Sequence, residues 1–366
     1  MFCRRMFCRR SIFSRQNIFQ AGVAGIVGLG LSFAAPLARA QDQKPQPQLT
    51  HITVELGDVS LTKLPFIMAA DNGLFEKNGL KADLYITPRA AAAVRGSGVI
   101  VPPENIRGAG GPPADFSITG GAYNVVNMTT IATTPPRLIL ATMDDKVHFH
   151  ILTRKDITSL DQIKGKRIGF TVPGSVEQLS MRLWLKTRHW NPDHDVSFYL
   201  NGGDVGAILK NQVDVIVGDG AAIDAAKTAG LHDLLDLSKF NWPMPGSSIL
   251  GLASWLPNNR DTTMRFMKAT LEAIALMKND RNAAYASFGK WFGIKDPSKL
   301  AVIYSRANQL PSKPYPSIAG LKLMRTVFSY RALDITKPED FVDASYIKTL
   351  DKSGFIDGLY KKSAAR

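Results

Sequence analysis

The chain has 366 residues, with 45 Lys and Arg against 31 Asp and Glu, a formal net charge of +14 and two cysteines. Six basic residues and both cysteines (Cys3, Cys8) lie within the first forty positions, so the other 326 residues carry 39 bases against 31 acids and no thiol. That body can form no disulfide and hold no thiol nucleophile or thiolate metal site, and its dispersed charge, with no run of five or more basic residues, argues against a nucleic-acid partner.

The N-terminus reads as an export leader. Arg4, Arg5, Arg9, Arg10 and Arg15 precede an apolar stretch from Ala21 to Ala35, closed by Pro36 and by Ala38-Arg39-Ala40 before Gln41. A basic region, an apolar region and a small-residue site predict a signal over 1–40 that is removed. Arg9-Arg10-Ser11-Ile12-Phe13 also fits a twin-arginine signal. The repeated Met-Phe-Cys-Arg-Arg leaves Met1 and Met6 both open as the start. No cysteine follows the apolar stretch for lipid attachment, and no later stretch has the roughly 20 apolar residues of a membrane span. The expectation is a soluble periplasmic protein.

Ile52, Val54 and Leu56 alternate as one face of a first strand. Pro65 opens a helix through Phe66, Ile67, Ala69, Ala70, Leu74 and Phe75 that Gly79 stops, and Leu80–Ile86 is the next strand. Residues 87–114, rich in Ala, Gly and Pro, predict a short helix and a long loop. A strand over Phe116–Thr119 leads through Gly120-Gly121 into a helix containing Val125, Val126 and Met128. Leu138–Ala141 and Phe149–Leu152 are two further strands, placed near a crossing between lobes. The rhythm then restarts with strands over Lys166–Val172, Val196–Leu200 and Val213–Val217, and helices over Ser175–Arg188, Val205–Asn211 and Ala221–Ala229. From Pro257 the pattern is helical almost to the end. Alternation at this spacing predicts an α/β protein with two mostly parallel sheets and a helical C-terminal tail.

The sequence shows no phosphate-binding loop, no H-E-x-x-H, no G-x-S-x-G and no complete dinucleotide fingerprint, because Gly218-Asp219-Gly220 lacks the third glycine. His148 and His150, two apart on a predicted strand, share a face but have no third metal ligand nearby in sequence. Asp144-Asp145 reads as a solvated turn. Ligands of doubly wound sheets gather at the carboxyl ends of strands, where loops and helix N-termini present free N–H groups. Those ends carry Ser60, Thr62 and Lys63 after the first strand, Thr119 and Gly120 after the third, Gly174 and Ser175 after the strand from Lys166, and Asp219 after that from Val213. Ser175 with Gln178 three residues on also has the spacing of a capping box, so each position has an ordinary capping role open to it.

Four segments carry a family resemblance. Pro65-Phe66-Ile67-Met68-Ala69-Ala70-Asp71-Asn72-Gly73-Leu74-Phe75-Glu76-Lys77-Asn78-Gly79-Leu80 is similar to the opening helix of the substrate-binding proteins of nitrate-, sulfonate- and taurine-type ABC importers. Ile157-Thr158-Ser159-Leu160-Asp161-Gln162-Ile163-Lys164-Gly165-Lys166-Arg167-Ile168-Gly169, with Gly174-Ser175 after it, resembles the segment that enters their second lobe. Val213-Asp214-Val215 through Gly230, and Ala344-Ser345-Tyr346 with Gly354-Phe355-Ile356-Asp357, resemble later parts of the same family.

The resemblance implies a type II periplasmic binding protein whose chain crosses twice between lobes, lobe one being 49–142 plus 247–366 and lobe two 143–246. It implies a monomer that holds a small molecule in the cleft and delivers it to an inner-membrane permease and its ATPase, without cofactor, metal or catalysis. The Gly/Pro-rich segment 96–114 departs from the family's pattern beside that cleft. The helix terminus at Gly174-Ser175, with Lys63, Thr62 and Thr119, favours an anionic group. Asp219 favours an amine or ring N–H, so an amino-sulfonate or heteroaromatic acid satisfies both. Two other readings stay open. One is a sensing module that docks on a membrane receptor. The other is a pyrimidine-synthase-like enzyme, whose cysteine-rich motif the body of this chain lacks.

Overall fold

The computed structural model describes residues 48–361 apart from 94–100, 109–110 and Gly293, so the leader read at 1–40 and part of the Gly/Pro-rich loop lie outside the described residues. In chain order the strands are β1 (Thr50–Leu56), β2 (Leu80–Ile86), β3 (Phe116–Gly120), β4 (Arg137–Thr142), β5 (His150–Thr153), β6 (Arg167–Phe170), β7 (Ser197–Leu200), β8 (Val215–Gly218), β9 (His232–Asp236) and β10 (Ser247–Leu252). The early helices are α1 (Leu64–Asp71), α2 (Leu74–Lys77), α3 (Pro88–Ala93), α4 (Gly121–Thr130), α5 (Val176–Thr187), α6 (Val205–Leu209) and α7 (Gly220–Thr228). The tail holds α8 (Arg260–Asn279), α9 (Arg281–Phe292), α10 (Pro297–Ala307), α11 (Ile318–Met324), α12 (Arg331–Ile335), α13 (Ser345–Lys352) and α14 (Phe355–Lys361).

Two five-stranded sheets result, ordered β2-β1-β3-β10-β4 and β7-β6-β8-β5-β9. Four strands of each run in one direction, as the mostly parallel expectation has it, and one runs against them. β10 runs antiparallel to both β3 and β4, and β5 antiparallel to both β8 and β9. Both β5 and β10 immediately follow a crossing between the sheets. The first helix is also two: Gly73, at φ +63°, ends α1 and starts α2, a left-handed turn that glycine adopts without steric cost.

The first core lies against β1, whose alternating Ile52, Val54 and Leu56 are at most 1% exposed. Phe266 of α8 stacks on Phe116 of β3 at 4.0 Å and reaches Phe75 and Phe66 on α2 and α1. The second core mixes elements from both sheets. Leu179, Trp184, Val215 and Val217 meet Val125 and Val126 of α4, Leu250 of β10, and Leu321, Met324 and Phe328 of the tail. A third, smaller core of Leu152, Ile208, Val213, Ile216 and Ala226 covers the other face of the second sheet under α6 and α7.

The two crossing segments run side by side. Val147 donates to the Trp242 carbonyl at 3.0 Å, Met244 to that of Asp145 at 2.9 Å, and Gly246 to that of Asp144 at 3.1 Å. A β-carbon on Gly246 would lie 2.3 Å from the Asp144 carbonyl oxygen, so only glycine allows this approach. This paired strap fixes which strand ends face one another.

Candidate functional site: a polar cleft between two sets of strand ends

Several contacts bring the strand ends of the two sheets together. Arg89, on the helix after β2, donates to the carbonyl of Thr171, just past β6, at 3.4 Å. The Gly174 turn after β6 sits on α4: its backbone has φ +75°, and a β-carbon there would be 2.5 Å from Val126 Cγ2. The Arg306 guanidinium of α10 lies over Gly220 at the start of α7, 2.0 Å from where a β-carbon would stand.

On the first-sheet side, Lys63 is 1% exposed and its ammonium is fully engaged. It donates to Asp58 at 2.5 Å and to Ser247 Oγ at 2.8 Å, with Thr62 Oγ1 at 3.2 Å and Ser60 Oγ at 3.4 Å. Ser60 and Thr62 also pair with each other at 2.9 Å. Thr119 lies over Gly57 at the end of β1, and Gly120 pairs with Ser247 across the β3–β10 ladder. These five predicted positions therefore share one corner.

On the second-sheet side, Ser175 is the N-cap of α5 and accepts from the Gln178 backbone at 3.3 Å. Gln178 Oε1 reaches back to the Gly174 N–H at 2.9 Å. Asp219 occupies the N-cap position of α7 without a side-chain capping bond, its side chain 54% exposed. Glu177 links these positions. Burial raises its carboxyl pKa against a hydrogen bond to Ser175, and the negative charges of Asp219 and Asp58 add to the rise. It feels carboxylates from both sides at once.

Sequence reasoning missed Glu177, Asp58 and Arg306, and it misplaced two more residues. Asp144 is not in a solvated turn: its side chain is 17% exposed, and burial raises its pKa against the hydrogen bond from His148. His148 lies before β5, stacked on Phe149, and so does not share a strand face with His150. His148 meets Asp144 at 3.3 Å and Asp219 at 3.9 Å, whereas His150 meets Asp233 at 2.8 Å and Asp236 at 3.5 Å. Burial opposes charge on His148. The hydrogen bond with Asp144 and the fields of Asp144 and Asp219 outweigh it and lift the imidazole to about 9. We take the pair as Asp144 carboxylate and His148 imidazolium at neutral pH. The signal for both was their position in the crossing segment, which spacing alone does not reveal. Among the described residues no cluster of His, Cys, Asp and Glu could hold a metal ion.

Two mixed α/β sheets, joined by a paired strap that brings their strand ends together, make the fold of a type II periplasmic binding protein. Residues 114–284, from just before β3 into α9, match the family model described as NMT1/THI5 like, and that stretch contains the entire second sheet. Three solved structures share the fold. The aliphatic sulphonate binding protein SsuA of Escherichia coli is 16% identical, with a TM-score of 0.54 over 80% of this chain and 98% of its own. The nitrate-binding protein NrtA of Synechocystis PCC 6803 is 15% identical, at 0.59 over 87% and 89%. The ligand-binding component of an ABC-type import system from Staphylococcus aureus is 13% identical, at 0.58 over 82% and 98%. No curated protein matches the sequence. Among the described residues, no helix is long and apolar enough to cross a membrane.

Proposed function

We propose that this protein is an extracytoplasmic solute-binding protein of an ABC importer. It captures a small anionic or zwitterionic organic molecule between lobe one (49–142 plus 247–366) and lobe two (143–246), then delivers it to the membrane permease and its ATPase. In this reading the leader at 1–40 sends it to the periplasm, where it works as a monomer without chemistry of its own. The observation that carries the reading is the meeting of the two sets of strand ends, where the charges of Asp58 from the first and Asp219 from the second both act on Glu177. Such ends are where doubly wound sheets hold ligands. The named functions of SsuA, NrtA and the Staphylococcus aureus component agree with it.

The direct test is a thermal-shift screen of sulfonates, nitrate, pyrimidines, amino acids and aromatic acids on the purified protein. A true ligand at about 100 times its dissociation constant adds about 2.7 kcal/mol by mass action, enough for a clear rise in melting temperature. A screen that yields no shift with any small solute argues against the reading.

A further inference from the structure

A second place on the molecule has the size and charge to hold a small molecule. We propose that the groove between the far half of α5 and residues 325–330 of the tail binds a small aromatic dianion, independently of the cleft. The groove has a volume of about 660 Å³, and Arg182, Lys186, Trp190, Asp193, Arg325 and Tyr330 are among the residues that line it. That volume is in the usual range of small-molecule sites, roughly 300–1,000 Å³. The groove is set apart from the strand ends. Ser175 caps the start of α5, and Arg182 and Lys186 lie about 10 and 16 Å further along the helix axis.

Charge is the first reason. Arg182 and Lys186 stand four residues apart on one face of α5, and Arg325 comes from the end of α11. Most of their protein partners are carbonyls, which accept hydrogen bonds but cancel no charge. Arg182 donates to that of Val327 at 3.3 Å, Lys186 to that of Thr326 at 3.1 Å, and Arg325 to that of Asp334. Asp193 is the one acid of the lining, and it pairs with Arg182 at 2.8 Å from a side chain 65% exposed. Three fixed cations against one carboxylate leave an excess of two positive charges, which a dianion matches. Counting in the neighbours Asp334, beside Ser329, and Arg331, one of each sign, leaves that excess unchanged.

The setting of Arg182 strengthens the attraction. Its side chain is 14% exposed and its guanidinium lies 5.0 and 5.3 Å from the Phe198 and Phe328 rings. Its buried Nε has no acceptor among the described residues. A cation so shielded from water attracts an added anion more strongly than one in open solvent. Lys186 is exposed and gives one of its three N–H groups to Thr326, so it has donors for a ligand oxygen. Rings are the second reason. Trp190, edge-on to Trp184, and Tyr330, stacked on Phe328, are half-buried and give the groove aromatic surface.

Titration calorimetry with phthalate, phenyl phosphate, benzoate, succinate and benzylamine separates the parts of the claim. The two aromatic dianions should bind at least fivefold more tightly than benzoate or succinate, and benzylamine should not bind. Lys186→Gln, at an exposed position, and Arg325→Gln should each weaken phthalate about tenfold, as loss of one charged hydrogen bond does. Unliganded melting curves confirm that each variant is folded. No binding of either aromatic dianion to the wild type overturns the proposal. Phthalate affinity unchanged in both folded variants overturns it as well, because the anion then sits elsewhere. Benzoate or succinate binding as tightly as phthalate overturns the assignment of an aromatic dianion. The solute-binding reading of the cleft stands or falls separately, on the thermal screen.

Discussion

Lys63 and Asp58 show how unequal the halves of one ion pair can be. The ammonium is buried, while the Asp58 side chain is 47% exposed and can return to water when its partner is lost. Removing the carboxylate strands a buried charge; removing the lysine does not. Asp58→Asn is therefore expected to destabilise the protein by roughly 2–3 kcal/mol, and more than Lys63→Met, in urea unfolding. The reverse order would mean that Lys63 finds other acceptors at no cost. At the turn before α5, Ser175→Ala removes one cap and should cost about 1 kcal/mol. Gly174→Ala should cost upward of about 2 kcal/mol, since it forces a β-carbon into the left-handed region and onto Val126. His148 sets a pH dependence. Its pKa rises from 6.5 unfolded to about 9 folded, so its stabilising contribution is complete below pH 6.5 and is lost as pH rises through about 9. The stability gap between the wild type and His148→Gln should shrink across that window, and a constant gap would mean that His148 is not charged in the fold. Of these roles the Ser175 cap was legible, because Gln178 stands three residues away. The environment of Lys63 was not, because Ser247 lies 184 residues along the chain.

Elements were most legible where periodicity was long. The alternation of Ile52, Val54 and Leu56 gave β1, and the Ser175–Arg188 pattern gave α5 to within a residue at each end. The strands β9 and β10 escaped notice. Ser247–Leu252 is short, carries a glycine, and sits centrally between β3 and β4, so it shows no polar alternation to read. Its antiparallel direction is what makes the first sheet mixed, and a βαβ rhythm gives no hint of it. The helical tail was legible as helix, but its packing was not. α8 anchors it through Phe266, which is fully buried and stacked on Phe116 between the other rings. Phe266→Ala should cost about 3–5 kcal/mol, which urea unfolding would register as a large fall in midpoint. A loss below about 1 kcal/mol would show that α8 docks mainly through its other apolar residues.

At the scale of the whole molecule, the facing strand ends and the two-segment strap suit a clamp. The second core adds a constraint that the sequence concealed. α4 and residues 321–341 of the tail pack with Leu179 and Trp184 of α5, so closing must either carry these helices with the second sheet or slide α5 along them. Arg89 on Thr171 and Arg306 over Gly220 mark where the lips already meet. Small-angle X-ray scattering on the protein, with and without a ligand whose binding calorimetry has established, tests the clamp most directly. A ligand held between the lobes should lower the radius of gyration at saturation. An unchanged radius with the ligand demonstrably bound would contradict closure around a solute in this cleft.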